Sequence, residues 1–168
     1  GGAATAISLS QSGLPAFHER QKQAKADYGF HDTFAWSPHL WHSFTDMKPS
    51  EYRAIFAAED NHWWYTGMQA ITEKLLEVFY PGRQNLRILD AGCGTGGAMV
   101  YLARFGHVVG CDNSAHALSY CQKRRLSRLS RAAVEQLPFA AQSFDLITSF
   151  DVLYHQAVAD YQLALAEF

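Results

Sequence analysis

The amino-acid sequence predicts an α/β fold, a doubly wound parallel sheet of about four strands behind a helical and irregular N-terminal arm. Apolar and amphipathic segments alternate from residue 86 to residue 168, as strand–helix–strand units do. Two apolar segments end in aspartates, Asp90 and Asp112, and a glycine-rich turn follows the first. Because parallel sheets bind ligands at the carboxyl ends of their strands, we expect a Rossmann-like sheet with its site beside these aspartates.

Length and composition favour one compact domain with a small-molecule partner. The net charge of −2 over 168 residues gives no electrostatic reason to expect nucleic acid. Apolar runs stay shorter than the roughly 20 residues of a membrane span. Three cysteines without C-x-x-C spacing are typical of reduced thiols. We therefore expect a cytoplasmic protein with no membrane span.

The N-terminal arm is predicted over residues 1–48, flexible at first and then rich in aromatic side chains, and the domain over residues 49–168. His39 and His42 have metal-like spacing, but no cysteine or acid stands at a suitable distance along the chain. They are interpreted as ordinary loop histidines, and no metal site is predicted.

Two helices are predicted before the first strand. Pro49 and Glu51 flank Ser50, which predicts a helix start with Ser50 as N-cap, and a break is expected at residues 60–61. A second helix is predicted to bury one apolar face and to stop at Pro81. That face consists of Met68, Ile71, Leu75, Val78 and Phe79.

The remaining elements alternate between strand and helix. Strands are predicted at residues 86–90, 107–112, 132–135 and 144–150. Helices are predicted at residues 95–104, from a Ser114 cap to about residue 123, and at residues 160–168. If the sequence given is the whole chain, the fourth strand has an open edge. A partner, a second copy or the N-terminal arm would then have to cover it.

The glycine turn allows two interpretations. Residues 92–97 satisfy G-x-G-x-x-G, and Asp112 follows Gly92 by 20 residues, as in dinucleotide-binding sites. However, Asp90 brings a carboxylate toward the turn, which is unfavourable beside a pyrophosphate and favourable beside an ammonium or sulfonium. No basic residue lies near the turn to meet a phosphate.

Three segments together resemble class I S-adenosylmethionine-dependent methyltransferases, in particular the small-molecule branch that includes ubiquinone and menaquinone methyltransferases. They read ILDAGCGTGG from residue 88, VVGCDNS from residue 108 and EQLPFAAQSFDLITSFDVLYH from residue 135. The resemblance covers about residues 86–168, and the family fold continues beyond the fourth strand.

The resemblance implies the residues that hold the cofactor. Asp90 and the backbone of Gly92 and Gly94 would hold its methionine portion. Asp112 would accept hydrogen bonds from both ribose hydroxyls, and Asn113 would flank the adenine. Cys93 is common in this turn and needs no covalent role.

Further cofactor contacts are implied downstream and upstream of the turn. The backbone N–H of Val134 would meet the adenine and Glu135 marks the same motif, although Ala133 replaces an acid that is frequent in the family. Phe150 would lie near the methionine end. Tyr65 belongs to a segment that resembles a cofactor roof, with helix packing as the alternative.

Methyl transfer from a sulfonium is an in-line displacement, so the protein must mainly align the reactants and exclude water. His155 is the candidate general base, and the alternative is that it only begins a helix. The basic run, which consists of Lys123, Arg124, Arg125, Arg128 and Arg131, is interpreted as a solvated helix end and linker rather than an RNA site.

The leading hypothesis is S-adenosylmethionine-dependent methyl transfer to a small-molecule acceptor. The alternatives are a non-catalytic module that binds S-adenosylmethionine or supports assembly, and an NAD-dependent oxidoreductase.

Overall fold

The computed structural model describes residues 47–155 and 157–168. Residues 1–46 of the predicted N-terminal arm, including His39 and His42, lie outside the described residues, and the domain boundary stays a prediction. In the described ranges, no helix combines the length and apolar character needed to cross a bilayer.

Two helices precede the sheet, α1 (Pro49–Ala58) and α2 (Trp63–Phe79). The break between them is where the sequence predicts it, but the predicted cap is wrong: Lys48, not Ser50, is the N-cap. Pro49 occupies the first helical position, where its fixed φ and missing N–H are tolerated. The carboxylate of Glu51 accepts a hydrogen bond from the Lys48 N–H at 2.8 Å and completes this helix start.

The four strands are β1 (Leu86–Ala91), β2 (Gly106–Asp112), β3 (Leu129–Arg131) and β4 (Leu146–Thr148). They form one parallel sheet in the order β3-β2-β1-β4, which confirms the predicted doubly wound fold. Because β1 and β2 are neighbouring parallel strands, Asp90 and Asp112 both lie at the carboxyl end of the sheet.

The other helices are α3 (Gly97–Leu102), α4 (Ala115–Lys123) and α5 (Tyr161–Glu167). The Ser114 hydroxyl accepts a hydrogen bond from the Ala117 N–H at 3.3 Å, as the predicted cap requires. Helix α3 begins two residues later than predicted because Gly96 has a φ of +86°, which no helix residue adopts.

The third strand lies three residues earlier than predicted. It is β3, whose Leu129 pairs with Gly110 of β2. Val134 lies in the loop that follows β3, and its side chain is buried. A buried apolar residue at this position resembles part of a strand in the sequence.

Two apolar clusters cover the two faces of the sheet. One joins α2, α3 and α4 to β1 and β2 and contains Leu76, Leu86, Ile88, Cys93, Met99, Leu102, Val108 and Cys121. The other includes α5 and contains Leu89, Ala91, Cys111, Val134 and Ala164. Neighbouring residues of β1 thus point to opposite faces, as in any strand.

The predicted buried face of α2 is wrong. Thr72 and Leu76 are the buried residues of this helix. Four residues of the predicted face are 50–64% exposed, namely Ile71, Leu75, Val78 and Phe79. Apolar residues occupy more than one side of α2, and the sheet packs against the stripe through Leu76.

Strand β4 pairs with β1 on one side and has no strand partner on its other side within the described residues. Helix α5 also leaves Leu163 and Leu165 exposed, each at 54%. Since α2 and α5 belong to the clusters on opposite faces, apolar side chains are exposed on both faces of the sheet.

Candidate functional site

A cavity of about 530 Å³ lies at the carboxyl ends of β1, β2 and β4. All of the site residues predicted from the sequence line it: Tyr65, Asp90, Gly92, Cys93, Gly94, Asp112, Asn113, Val134, Glu135, Phe150 and His155. The structure therefore brings the predicted set together, while their individual roles stay predictions.

The glycine turn is the floor of this cavity. Gly92 has a φ of +78°, and a Cβ there would come within 2.3 Å of the Val152 side chain. Gly94 has a φ of +53° and no atom within 4 Å of where a Cβ would lie. The left-handed conformations favour glycine at both positions, and at Gly94 the backbone is left open to a ligand.

Asp90 supplies a buried carboxylate beside this turn. It is 2% exposed, and its Oδ1 accepts a hydrogen bond from the Thr148 hydroxyl at 2.8 Å. Its Oδ2 is buried without a hydrogen-bond partner among the described residues. Burial raises the pKa of Asp90 to about 7, with Glu59 adding to the rise and Thr148 opposing it. An unpartnered buried carboxylate is costly, so a cation in the cavity would stabilise its charged form.

Asp112 joins β2 to the glycine turn. Its Oδ2 accepts from the Gly94 N–H at 2.9 Å, and its Oδ1 accepts from the Ser114 N–H at 2.8 Å. Burial raises the pKa of Asp112, and these two hydrogen bonds and the charge of His155 oppose that rise. Each carboxylate oxygen can accept a further hydrogen bond, which fits recognition of two hydroxyls.

Cys93 lies on the turn but is not an activated nucleophile. Its Sγ is 4.0 Å from the Sγ of Cys121, whose thiol donates to the Gly94 carbonyl at 3.3 Å. The contact with Cys121 and burial raise the pKa of Cys93 above its ordinary value. A reactive thiol needs the opposite shift.

His155 reaches the cavity with one ring nitrogen already engaged. Its Nδ1 accepts a hydrogen bond from the Ala157 N–H at 3.2 Å. A neutral ring in this arrangement carries its proton on Nε2, so it offers a donor to the cavity. Its role as general base stays a prediction.

The aromatic segment before β1 forms another wall. Trp63 is 72% exposed and Trp64 43%, so core packing does not describe them. The Trp64 Nε1–H donates to Asp151 at 3.3 Å, while Tyr65 lines the cavity. Burial raises the pKa of Tyr65, as do the charges of Glu59 and Asp151.

Sequence reasoning missed Glu59 and misread Arg124. The Arg124 side chain is 10% exposed and pairs with Glu59 at 3.0 Å and with Asp60 at 2.9 Å. The prediction that it belongs to a solvated helix end is wrong. Nothing local in the sequence marks either residue, because the partners are 65 and 64 positions apart.

The described residues contain no cluster of three His, Cys, Asp or Glu side chains that could hold a metal ion.

Comparison with known proteins identifies the family to which this chain is similar. A model described as a methyltransferase domain matches residues 88–168. Malonyl-[acyl-carrier protein] O-methyltransferase of Erwinia billingiae is 32% identical over 73% of this chain and 49% of that protein. The corresponding protein of Enterobacter lignolyticus is 30% identical over 61% of this chain and 43% of that protein. The chain thus spans about half the length of these relatives.

Solved structures share the fold. The S-adenosylmethionine-bound amino pentose methyltransferase from Micromonospora echinaspora superposes with a TM-score of 0.55 at 25% identity, over 75% of this chain and 52% of that chain. A structure from Methanococcus maripaludis, of a protein proposed to be an S-adenosylmethionine-dependent methyltransferase, gives a TM-score of 0.56 at 22% identity, over 74% of this chain and 60% of that chain. The finer resemblance to quinone methyltransferases stays a prediction. The chain belongs to the class I S-adenosylmethionine-dependent methyltransferases, whose cofactor is S-adenosylmethionine.

Proposed function

We propose that this protein transfers a methyl group from S-adenosylmethionine to a small-molecule acceptor. The observation that carries the proposal is the Asp90 carboxylate, which is buried in the cavity with Oδ2 unpartnered. An amino acid ammonium is the kind of group that would complete it.

The residues present fit this cofactor. Asp90 would hold the methionine end, Asp112 the ribose hydroxyls, and Asn113 and the Val134 N–H the adenine. The open backbone at Gly94 gives room for the ligand to approach the turn. When bound, S-adenosylmethionine supplies a methyl group that its sulfonium has already activated for displacement.

The chain's own contribution is alignment and exclusion of water. The glycine turn and the loop after β4 both line the cavity, and the Val152 side chain lies against Gly92. His155 would orient the acceptor by donating a hydrogen bond from Nε2–H. It would take up the acceptor's proton only in the other tautomer, which gives up the hydrogen bond from the Ala157 N–H to Nδ1. An acceptor that loses a proton gains roughly 10²–10⁴-fold from such a base.

The charge of the cavity disfavours the NAD hypothesis and a nucleic-acid acceptor. Its described lining has one guanidinium, that of Arg104, which is already paired with Glu73 at 2.7 Å. Six carboxylates line the same cavity, those of Glu59, Asp60, Asp90, Asp112, Glu135 and Asp151. Phosphates would meet like charge here.

Calorimetry with S-adenosylmethionine, S-adenosylhomocysteine and NAD tests the proposal, followed by turnover on a panel of quinols, phenols and amines. We expect the first two ligands to bind, NAD not to bind, and one acceptor class to be methylated. Binding of NAD alone would overturn the proposal. Binding of both adenosyl ligands without turnover would favour a non-catalytic module.

A further inference from the structure

Glu59 follows helix α1 and points its carboxylate at the cofactor turn. Its side chain is 11% exposed. Its Oε2 accepts hydrogen bonds from the Thr95 hydroxyl at 2.5 Å and from the Arg124 guanidinium at 3.0 Å. No donor among the described residues meets its other oxygen, Oε1.

Arg124 fixes this carboxylate from behind. Its Nε donates to the Thr95 carbonyl at 3.2 Å, and its Nη2 also reaches the Phe56 carbonyl at 3.3 Å. The guanidinium lies over the Phe56 ring, 4.5 Å from the centroid. Arg124, at the end of α4, therefore contacts both the end of α1 and the glycine turn. These contacts restrict the conformations that the Glu59 side chain can adopt.

Close packing at Gly97 shows how near the carboxylate comes to the turn. A Cβ at Gly97 would lie 2.6 Å from the Glu59 carboxyl carbon and 2.8 Å from Oε1. Any larger residue would displace Glu59. The absence of a side chain at Gly97 is thus what admits the carboxylate to the start of α3.

Glu59 and Asp90 line the same cavity and interact electrostatically. Both line it, and the charge of Glu59 contributes to the raised pKa of Asp90, after burial. Arg124 does not cancel the negative charge, because it also pairs with Asp60. Two carboxylates, each with one oxygen that receives no hydrogen bond in the described chain, therefore share one site.

We propose that Glu59 is a second carboxylate for the cofactor's amino group, held in place by Arg124 and Thr95, so that Asp90 and Glu59 together bind the ammonium. This inference rests on the proposed function. It concerns the part of the ligand that distinguishes S-adenosylhomocysteine from the analogue lacking only its amino group.

The test compares the dissociation constants of these two ligands in wild type and in Glu59→Gln. Glutamine keeps an oxygen for Thr95 and Arg124 but loses the charge. Removing a charged hydrogen-bond partner costs about 1.5–3 kcal/mol. We expect binding of S-adenosylhomocysteine to weaken roughly 10–100-fold and binding of the deaminated analogue to change less than about twofold.

One matched variant controls the comparison. Glu77→Gln removes an exposed carboxylate that pairs with Lys74, away from the cavity. This variant should not change the ratio of the two dissociation constants. An equal loss for both ligands in Glu59→Gln would assign Glu59 to the shape of the turn alone and overturn the inference, as would no loss.

A second measurement does not depend on the folding of Glu59→Gln. In Asp90→Asn, S-adenosylhomocysteine should still bind about tenfold tighter than the deaminated analogue, because Glu59 still faces the amino group. Equal binding of the two ligands in that variant would leave Glu59 no role toward the ammonium. If the wild-type protein bound neither S-adenosylmethionine nor S-adenosylhomocysteine, that result would instead overturn the proposed function, and the inference with it.

Discussion

The Asp90 carboxyl group is buried where neither protonation state is ideal. Burial favours the neutral acid and raises its pKa to about 7. The proposed cofactor contact needs the carboxylate. At this one residue, the conditions that favour the ligand-free fold and those that favour the ligand differ.

Affinity for S-adenosylhomocysteine should therefore depend on pH through Asp90. Below pH 7 the carboxyl must lose a proton before it can bind an ammonium, so we expect affinity to fall toward tenfold for each pH unit. Calorimetry between pH 5.5 and 8 measures this. Asp90→Asn should bind more weakly at pH 8 and show a flatter profile; a wild-type profile equally flat would contradict the prediction.

Thr148 tunes the same group. Its hydroxyl donates to Asp90 and opposes the rise in the pKa of Asp90. In Thr148→Val we expect the midpoint of the pH profile to move to higher pH, because the carboxylate loses a hydrogen bond. Ser149→Ala is the matched control, since the Ser149 hydroxyl donates to the Ala91 carbonyl instead, at 2.8 Å. Equal shifts in both variants would refute the assignment.

The residues around the glycine turn could be predicted because the turn, Asp90 and Asp112 form local patterns next to strand ends. Glu59 and Arg124 could not. Each reads locally as a surface charge, and only the fold brings them together. Pairing of distant charges has no periodicity that a sequence displays.

At the scale of elements, the glycine turn packs against the loop after β4 through the contact between Gly92 and Val152. In Gly92→Ala the new Cβ would meet Val152, and the φ of +78° would be strained for alanine. We expect a loss of about 2–4 kcal/mol in the free energy of unfolding, measured by urea denaturation. Val152→Ala in the same chain should restore part of this loss in a double-mutant cycle. Strict additivity would mean that the contact is not the cause.

The strands and helices were predicted well where one period dominates and poorly where two neighbouring patterns compete. For β3, the apolar residues at 132–134 form a loop that packs inward, while the paired residues Leu129–Arg131 have a mixed pattern. For α2, apolar residues on several sides gave no unique buried face. The sheet, not the helix, decides which stripe is covered.

The exposed stripe of α2 leads to a proposal about association. On this helix, Ile71 and Val78 are 62% and 63% exposed. We propose that a second copy of this chain covers this stripe, since exposed apolar surface favours association. Light scattering at concentrations on the order of 100 µM should detect a dimer that Ile71→Lys together with Val78→Lys disrupts. Lys74→Ala, on the same helix, is the control; a wild-type monomer would contradict the proposal.

For the whole domain, the buried carboxyls should make stability depend on pH in an unusual direction. The pKa values of Asp90 and Asp112 are both raised in the fold. The stabilisation from holding their protons is fully present below their ordinary pKa, near 4, and for Asp90 it is lost as pH rises through about 7.

We therefore expect this contribution to lower the melting temperature of the ligand-free domain between pH 5.5 and pH 8. Asp90→Asn should show a smaller drop, and saturating S-adenosylhomocysteine should reduce it in wild type by stabilising the charged form. Thermal unfolding followed by circular dichroism measures all three. An identical drop with and without Asp90 would exclude it as the source.

The buried thiols beneath the glycine turn also make local opening of the turn measurable by thiol labelling. Cys93 and Cys121 are at most 6% exposed, and the Cys121 thiol donates a hydrogen bond to the Gly94 carbonyl. A bulky thiol reagent can reach them only when the turn and α4 separate. The rate of labelling therefore counts openings of the cofactor floor, and a ligand seated on that floor should slow it.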